Sequence, residues 1–156
     1  MSKKPKITII TVTLNAEDCI ESAINSVLIQ DYENLEYIII DGLSSDSTVR
    51  IIKRYESSID YWISERDSGL YEAMNKAIEV MTGEYYMVMG ADDILFPGVI
   101  KKLVDECIVN KNIDFFVTSV WMGDYKLRSG IRPQLGYLSI KHIRRCRLTL
   151  KRPSSR

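Results

Sequence analysis

KITIITVTLNAEDCIESAINSVLIQDYENLEYIIIDG, residues 6–42, holds two apolar runs separated by a helical stripe. KITIITVTL (6–14) is rich in β-branched residues and bounded by Pro5 and Asn15, the pattern of a strand buried on both faces. Ile20, Ala23, Ile24, Val27 and Leu28 then recur at the spacing of one helix face, until Asp31 and Asn34 break the pattern. LEYIIID (35–41) predicts a second buried strand, after which Gly42 lets the chain turn. A strand, a helix and a strand joined this closely predict parallel pairing through a right-handed crossover.

The same alternation continues outward. Ser45 or Asp46 caps a predicted helix that runs through Arg50 and Ile52 to about Tyr55. IDYWIS (59–64) predicts a weaker strand at a sheet edge. Leu70, Ala73, Met74, Ala77, Ile78 and Met81 repeat the helical stripe, with Gly83 placed as its C-terminal cap. EYYMVM (84–89) predicts a fourth strand, and Pro97 opens a helix with Val99, Ile100, Leu103, Val104, Cys107 and Ile108 inward. IDFFVTSVWM (113–122) predicts a fifth strand running toward a hairpin near Gly123. The expected fold is α/β, a three-layer α/β/α arrangement around a mostly parallel sheet.

Composition narrows the function classes. The chain has 156 residues, 46% of them hydrophobic and 27% charged, enough for one domain with a sizeable core. No apolar run reaches the roughly 20 residues of a membrane span. The three cysteines, at 19, 107 and 146, have no metal-ligand spacing, and a reducing cytoplasm is the expected compartment. The zero net charge conceals an asymmetry. Residues 1–124 carry all 21 acids against 11 bases, and residues 125–156 carry ten bases and no acid. The basic stretch KHIRRCRLTLKRPSSR reads first as a solvated tail and second as a peripheral contact with anionic phospholipid or a lipid-linked phosphate. No aromatic residue is interleaved with those bases, so nucleic acid is not an expected partner. His142, the single histidine, reads as solvated or structural.

Ligands of parallel sheets bind beyond the carboxyl ends of the strands. Here those ends carry Asn15, Asp41-Gly42, Glu65-Arg66-Asp67 and Gly90-Ala91-Asp92-Asp93. Two adjacent carboxylates about 4 Å apart repel by roughly 4 kcal/mol at an effective dielectric near 20. A hard cation such as Mg²⁺ or Mn²⁺ relieves that, sharing one or two carboxylates with phosphate oxygens. The structural alternative is that one Asp caps the turn before Pro97 while the other faces water. Asp41 is placed to accept a hydrogen bond from a ribose hydroxyl or a base N–H, or else to hold Gly42-Leu43-Ser44 in an Asx turn. Asp46 fits a helix start. Arg66 precedes a helix N-terminus that suits phosphate, or it pairs with Asp67 or a neighbouring acid. No GxGxxG or GxxxxGK[ST] pattern occurs, so the dinucleotide and P-loop fingerprints are missing.

ITIITVTLN, SVLIQDYENLEYIIIDGLSSDST and SERDSGLYEAMNKAIEVMTGEYYMVMGADD, in that order, resemble the family-2 glycosyltransferases of GT-A fold, especially bacterial polysaccharide-assembly members. The resemblance runs from about Lys6 to Asp124. It implies inverting transfer of a sugar from a nucleotide-diphosphate sugar to a saccharide or lipid-linked acceptor, with Mn²⁺ or Mg²⁺ as cofactor. It also implies that Thr13 and Asn15 line the nucleotide pocket and that Asp41 contacts base or ribose. Asp67 falls near the nucleoside, and Gly90-Ala91-Asp92 falls on the DxD motif, with Asp92 the metal-binding acid and Asp93 its companion. Arg66 and Asp92 complete the expected nucleotide-binding set.

Two departures accompany the resemblance. Gly90 replaces the first acid of DxD. Family members also continue into an acceptor-binding half whose Glu-Asp segment supplies the catalytic base, and no acid follows Asp124. The expectation is therefore a nucleotide-sugar-binding domain over 1–124 and a basic, incomplete acceptor-side segment over 125–156, C-terminally truncated. No catalytic residue is assigned. The competing expectation is a catalytically impaired nucleotide-sugar-binding module. A nucleotidyltransferase is disfavoured, because Asn15-Ala16-Glu17-Asp18 bears no likeness to a Gly-rich activating loop. The expected location is the cytoplasm, with possible peripheral contact at the inner face of the membrane.

Overall fold

The computed structural model describes residues 4–109, together with the backbone of two further strands at 115–118 and 141–145. In chain order the elements are β1 (Ile7–Thr13), α1 (Ile20–Leu28), β2 (Leu35–Asp41), α2 (Thr48–Arg54), β3 (Tyr61–Ser64), α3 (Leu70–Val80), β4 (Tyr85–Gly90), α4 (Val99–Val109), β5 (Phe115–Thr118) and β6 (Lys141–Arg145). A single 3₁₀ turn, Glu56–Ser58, follows α2. The sheet order is β3-β2-β1-β4-β6-β5. The first four strands are parallel, and β6 runs antiparallel between β4 and β5.

Every residue of β1 is buried, as its unbroken apolar run predicts. Alternation along the strands then sorts side chains between two helix layers. Ile7, Ile9, Tyr37, Ile39, Met87 and Met89 pack with Ile20, Ile24 and Val27 of α1, Ile52 of α2 and Ile100 and Val104 of α4. Ile10, Val12, Ile38 and Ile40 pack on the other face against Ala73 and Ala77 of α3. The small alanines let α3 approach the sheet closely, and this places the start of that helix over the rim. Leu70 and Leu28, both expected inward, lie at the ends of their stripes and are exposed.

Several local expectations change. Gly83 is not a helix cap: α3 ends at Val80, and Met81 turns extended. A Cβ on Gly83 would lie 2.3 Å from Thr8 Oγ1 and 2.8 Å from Thr8 N, so the residue is small because the chain crosses β1 there. Pro97 does not open α4. Gly98 intervenes at φ +74, and the helix starts at Val99. Asp46, rather than Ser45, accepts the N–H of Thr48 at 2.9 Å. The largest change is in the basic stretch. Lys141–Arg145, read as the start of a solvated tail, is a strand that pairs with β4 and covers an edge the four-stranded sheet would leave open. β5 consequently pairs with β6 rather than with β4. The hairpin expected near Gly123 lies outside the described residues.

At the amino end of the sheet, opposite the rim, Glu36 is 6% exposed and ringed by donors. Thr8 Oγ1 donates to it at 2.6 Å, Thr82 N at 2.8 Å and Lys6 Nζ at 3.0 Å, and the Thr82 hydroxyl donates as well. Burial alone would raise its pKa, but these hydrogen bonds outweigh it and hold the carboxyl at about 2, below the ordinary 4.5. A depressed folded-state pKa stabilises the fold above pH 4.5, and that contribution disappears as pH falls through about 2. Glu36→Gln should therefore cost on the order of 2 kcal/mol at neutral pH and flatten the acid limb of stability, measured by urea melts between pH 2 and 7.

Candidate functional site

The sheet register brings the rim residues into one row. Thr13 is paired with Asp41, and Asp41 with Ser64, so the last residues of β1, β2 and β3 are side by side. Gly90 at the end of β4 is opposite Val12, one residue back. Four strand ends thus converge, as the alternating pattern requires.

Asp41 is fully buried at this rim. Ser44 N donates to Oδ2 at 2.9 Å, Ser64 Oγ donates to the same oxygen at 2.6 Å, and the Ser44 hydroxyl donates to Oδ1. The Asx-turn role weighed from the sequence is therefore present. A carboxylate has about four lone-pair sites, so three donors leave acceptor capacity over. Leu43, at the tip of the turn, is held at φ 66, a left-handed conformation that is unfavourable for a branched side chain.

The neighbouring loops are stitched to this turn. Asn15, itself at φ 49, accepts the N–H of Ser45 on Oδ1 at 2.8 Å and donates its own N–H to Ser44 Oγ at 2.8 Å. Ala16 N donates to Thr48 Oγ1, and Glu17 N to Asp46 Oδ2. The Asp67 carboxylate closes the third side: a Cβ on Gly42 would be 2.9 Å from its Oδ2. Asp67 Oδ1 accepts the N–H of Gly69 at 2.9 Å. Arg66 is exposed, and among the described residues its guanidinium enters no hydrogen bond or ion pair. Just before α3, Glu72 reaches back to the N–H of Ser68 at 2.9 Å and Asp67 takes the N–H of Gly69, so the protein's own carboxylates occupy those two amides.

Thr13 differs from the other threonines of its strand. Thr8 Oγ1 bonds Glu36, and Thr11 Oγ1 lies 3.0 Å from the Tyr37 hydroxyl. Thr13 Oγ1 is buried without a partner among the described residues. An unsatisfied buried hydroxyl costs about 1–3 kcal/mol, and at a strand end this one has a donor and lone pairs to offer an incoming group.

Asp92 and Asp93 fold back over Gly90. A Cβ there would meet Asp92 Oδ1 at 2.6 Å and Asp93 Oδ2 at 3.2 Å, so only glycine lets both carboxylates approach the strand end. Asp93 accepts the Gly90 N–H at 2.6 Å, as a turn-capping acid does, while Asp92 is exposed. Burial raises the pKa of the Cys19 thiol, and the negative charge of Asp92, with Asp18 and Asp46, adds to the shift, which places Asp92 beside the start of α1. No group of three or more His, Cys, Asp or Glu able to hold a metal occurs among the described residues. Two oxygens above one glycine suit a cation that completes its shell with phosphate oxygens and water, as Mg²⁺ and Mn²⁺ do, and do not make an all-protein cage.

A separate cleft of about 560 Å³ lies between the β1–α1 loop and α2, lined by Glu17, Asp18, Ser47, Arg50, Ile51 and Arg54. It contains none of the expected site residues, and Arg54 on its wall pairs with Glu21 at 3.2 Å. Ser44 was within reach of the sequence, as the end of the Asx turn on Asp41, but Ser64 is identified only by the register.

With this geometry in hand, a sequence model of glycosyl transferase family 2 matches residues 8–152. The chain belongs to glycosyl transferase family 2. Among relatives of the family-2 chain, an uncharacterized glycosyltransferase of Mycobacterium tuberculosis strain H37Rv is 34% identical over 107 residues, covering 67% of this chain and 41% of the relative. A Bacillus subtilis protein named for teichuronic acid biosynthesis, glycosyltransferase TuaG, is 40% identical over 94 residues, covering 58% and 37%. The chain thus spans about two fifths of the length of these curated relatives. Among solved structures, S. aureus TarS 1-349 in complex with UDP superposes with a TM-score of 0.72 at 21% identity, over 90% of this chain and 46% of that one. Mannosyltransferase PcManGT from Pyrobaculum calidifontis, in complex with GDP-Man and Mn²⁺, gives 0.64 at 24% identity over 78% and 37%. At these identities the likeness shows the fold alone, and the fold is the expected α/β type. Among the described residues no helix is long and apolar enough to cross a membrane.

Proposed function

We propose that this family-2 chain binds a nucleotide-diphosphate sugar at the carboxyl rim of its sheet and serves inverting sugar transfer in cell-surface polysaccharide assembly. The observation that carries the reading is the pair of carboxylates folded over Gly90, at the same rim as the unpartnered Thr13 hydroxyl and Asp41. Thr13, Asn15, Asp41, Arg66 and Asp67 bind the nucleoside end, and Asp92 and Asp93 the diphosphate end. The UDP, UDP-GlcNAc and GDP-Man with Mn²⁺ found in structures of the same fold support a donor of this class. TuaG supports a polysaccharide context.

Asp92 and Asp93 would hold a divalent cation, which would supply the positive charge that a departing diphosphate needs. Asp92, exposed and close to Asp93, supplies the oxygen free to meet it, and Asp93 anchors the turn through Gly90 N–H. Asp41 and Thr13 offer an acceptor and a donor side by side, a combination suited to fixing a nucleoside by its hydrogen-bonding edge. Inversion requires a base that deprotonates the acceptor hydroxyl on the face opposite the diphosphate. We assign none within this chain, and no acid follows Asp124. The division proposed is one of task rather than fold: residues 1–124 hold the donor, and 125–156 face the acceptor and an anionic membrane surface on the cytoplasmic side, although Lys141–Arg145 complete the sheet.

A second reading is a nucleotide-sugar-binding module without turnover. Transfer of labelled sugar to lipid-linked acceptor, run beside thermal shifts with nucleoside diphosphates and Mn²⁺, separates the two. Stabilisation with turnover supports the enzyme, stabilisation without turnover the module, and the lack of both contradicts the donor site itself.

A further inference from the structure

Lys76, in the second turn of α3, points back toward the rim rather than into solvent. Its side chain is 21% exposed. The Nζ lies 2.9 Å from Glu65 Oε1 and 3.6 Å from Glu72 Oε1, and it donates to the carbonyl of Arg66 at 3.0 Å. One ammonium therefore ties the β3–α3 connection at two successive residues to the body of the helix. The Glu65 carboxylate beside it holds the ammonium charged. Nothing in the reading above requires a lysine here. A solvated helix face would be served by any polar residue, and an isolated i,i+4 pair is worth only a few tenths of a kcal/mol.

The connection it clamps carries two of the donor-binding residues. Arg66 projects into solvent from the peptide whose carbonyl Lys76 holds, and Asp67 follows it, with its carboxylate against Gly42. Apart from Lys76, the segment is fixed by Glu65 N to the Asp41 carbonyl at 2.9 Å, by Ser68 N to Glu72 Oε2 at 2.9 Å and by Gly69 N to Asp67 Oδ1. None of these bonds reaches the Arg66 peptide. Without the ammonium, Arg66 and Asp67 would have to be ordered when ligand arrives, at a cost in backbone entropy.

We infer that Lys76 is a positioning residue, which holds the Arg66–Asp67 segment in the shape that meets the nucleoside end of the donor. The inference rests on the donor site proposed above. Lys76 touches no ligand and acts through the segment it ties. Its influence is confined to the nucleoside half of the pocket, since Asp92 and Asp93 are on a different strand end.

The test is calorimetric titration of the full chain with UDP and GDP in Mn²⁺, and with inorganic pyrophosphate in Mn²⁺. Lys76→Met keeps the aliphatic stem and removes the charge. It should weaken the nucleoside diphosphate that the wild type prefers by about tenfold, the factor that 1.4 kcal/mol represents. Pyrophosphate affinity should stay within twofold, and Lys76→Arg should recover most of the loss. Equal nucleotide affinity in Lys76→Met would overturn the inference and leave the donor site standing. A parallel loss of pyrophosphate would also overturn it, because that reports general damage. Should Lys76→Met not fold, Glu65→Gln must show the same selective loss in smaller measure, and its absence overturns the inference. Failure of the wild type to bind either nucleotide would sink the donor site itself.

Discussion

Replacing both rim carboxylates, Asp92→Asn with Asp93→Asn, should lower the affinity for a nucleoside diphosphate in Mn²⁺ by two orders of magnitude or more, about 3 kcal/mol. Asn preserves the shape of each side chain and lets position 93 keep its carbonyl on the Gly90 N–H, so the turn survives. What is lost is the negative charge that draws the cation and, through it, the diphosphate. The apo protein should respond in the opposite direction. The paired charges repel one another over Gly90, so the double variant should melt at or above the wild-type Tm without metal. Weaker ligand binding together with undiminished stability is the pattern of a functional site, whereas a turn-capping pair would lose stability and bind as before. Titration calorimetry and thermal melts on the same samples distinguish the two outcomes.

Gly83→Ala is expected to have the largest effect on the fold. Its added methyl would fall 2.3 Å from Thr8 Oγ1, 2.8 Å from Thr8 N and 2.9 Å from the Tyr85 carbonyl. Two of those atoms are backbone, in strands that pair with each other, so neither moves without breaking the β1–β4 ladder. The Thr8 hydroxyl cannot rotate away freely, since it donates to Glu36 and accepts the Gly83 N–H. A loss of about 3–5 kcal/mol follows, comparable with severe overpacking and the breaking of a buried network. Gly90→Ala makes the contrast. Its methyl meets only the ends of the Asp92 and Asp93 side chains, which can swing outward. Stability should change by less than about 1 kcal/mol, while the carboxylates are driven off the strand end and Mn²⁺-dependent nucleotide affinity falls. Equal melting temperatures for Gly83→Ala and wild type would show that the packing of Gly83 on β1 is not as described.

The alternation of apolar runs and helical stripes was enough to read α/β architecture from residues 6–109, because β1 and β2 are buried on both faces and leave no other period to fit. The rim was legible for the same reason: once strand ends are known, Asn15, Asp41, Asp67 and Asp92 are at them. What the sequence did not disclose depends on contacts between distant segments. Gly83 looks like a helix cap when only its neighbours are considered, and its reason for being glycine is Thr8, on another strand. KHIRR lacks an apolar pattern, and its place in the sheet follows from the open edge of β4 rather than from its own residues. Ser64 was equally hidden, because it becomes the neighbour of Asp41 only through the β2–β3 register. Ahead of α3, the bonds by which Glu72 and Asp67 take the Ser68 and Gly69 amides were hidden as well.

The central claim is that two adjacent carboxylates at the end of β4 hold a divalent ion that in turn holds a diphosphate. Calorimetric titration of the wild-type chain with UDP and GDP, once in Mn²⁺ and once in EDTA, tests it most directly. The account predicts micromolar-range binding of at least one nucleotide in Mn²⁺ and a loss of about 100-fold or more in EDTA. Identical isotherms in the two buffers would contradict it.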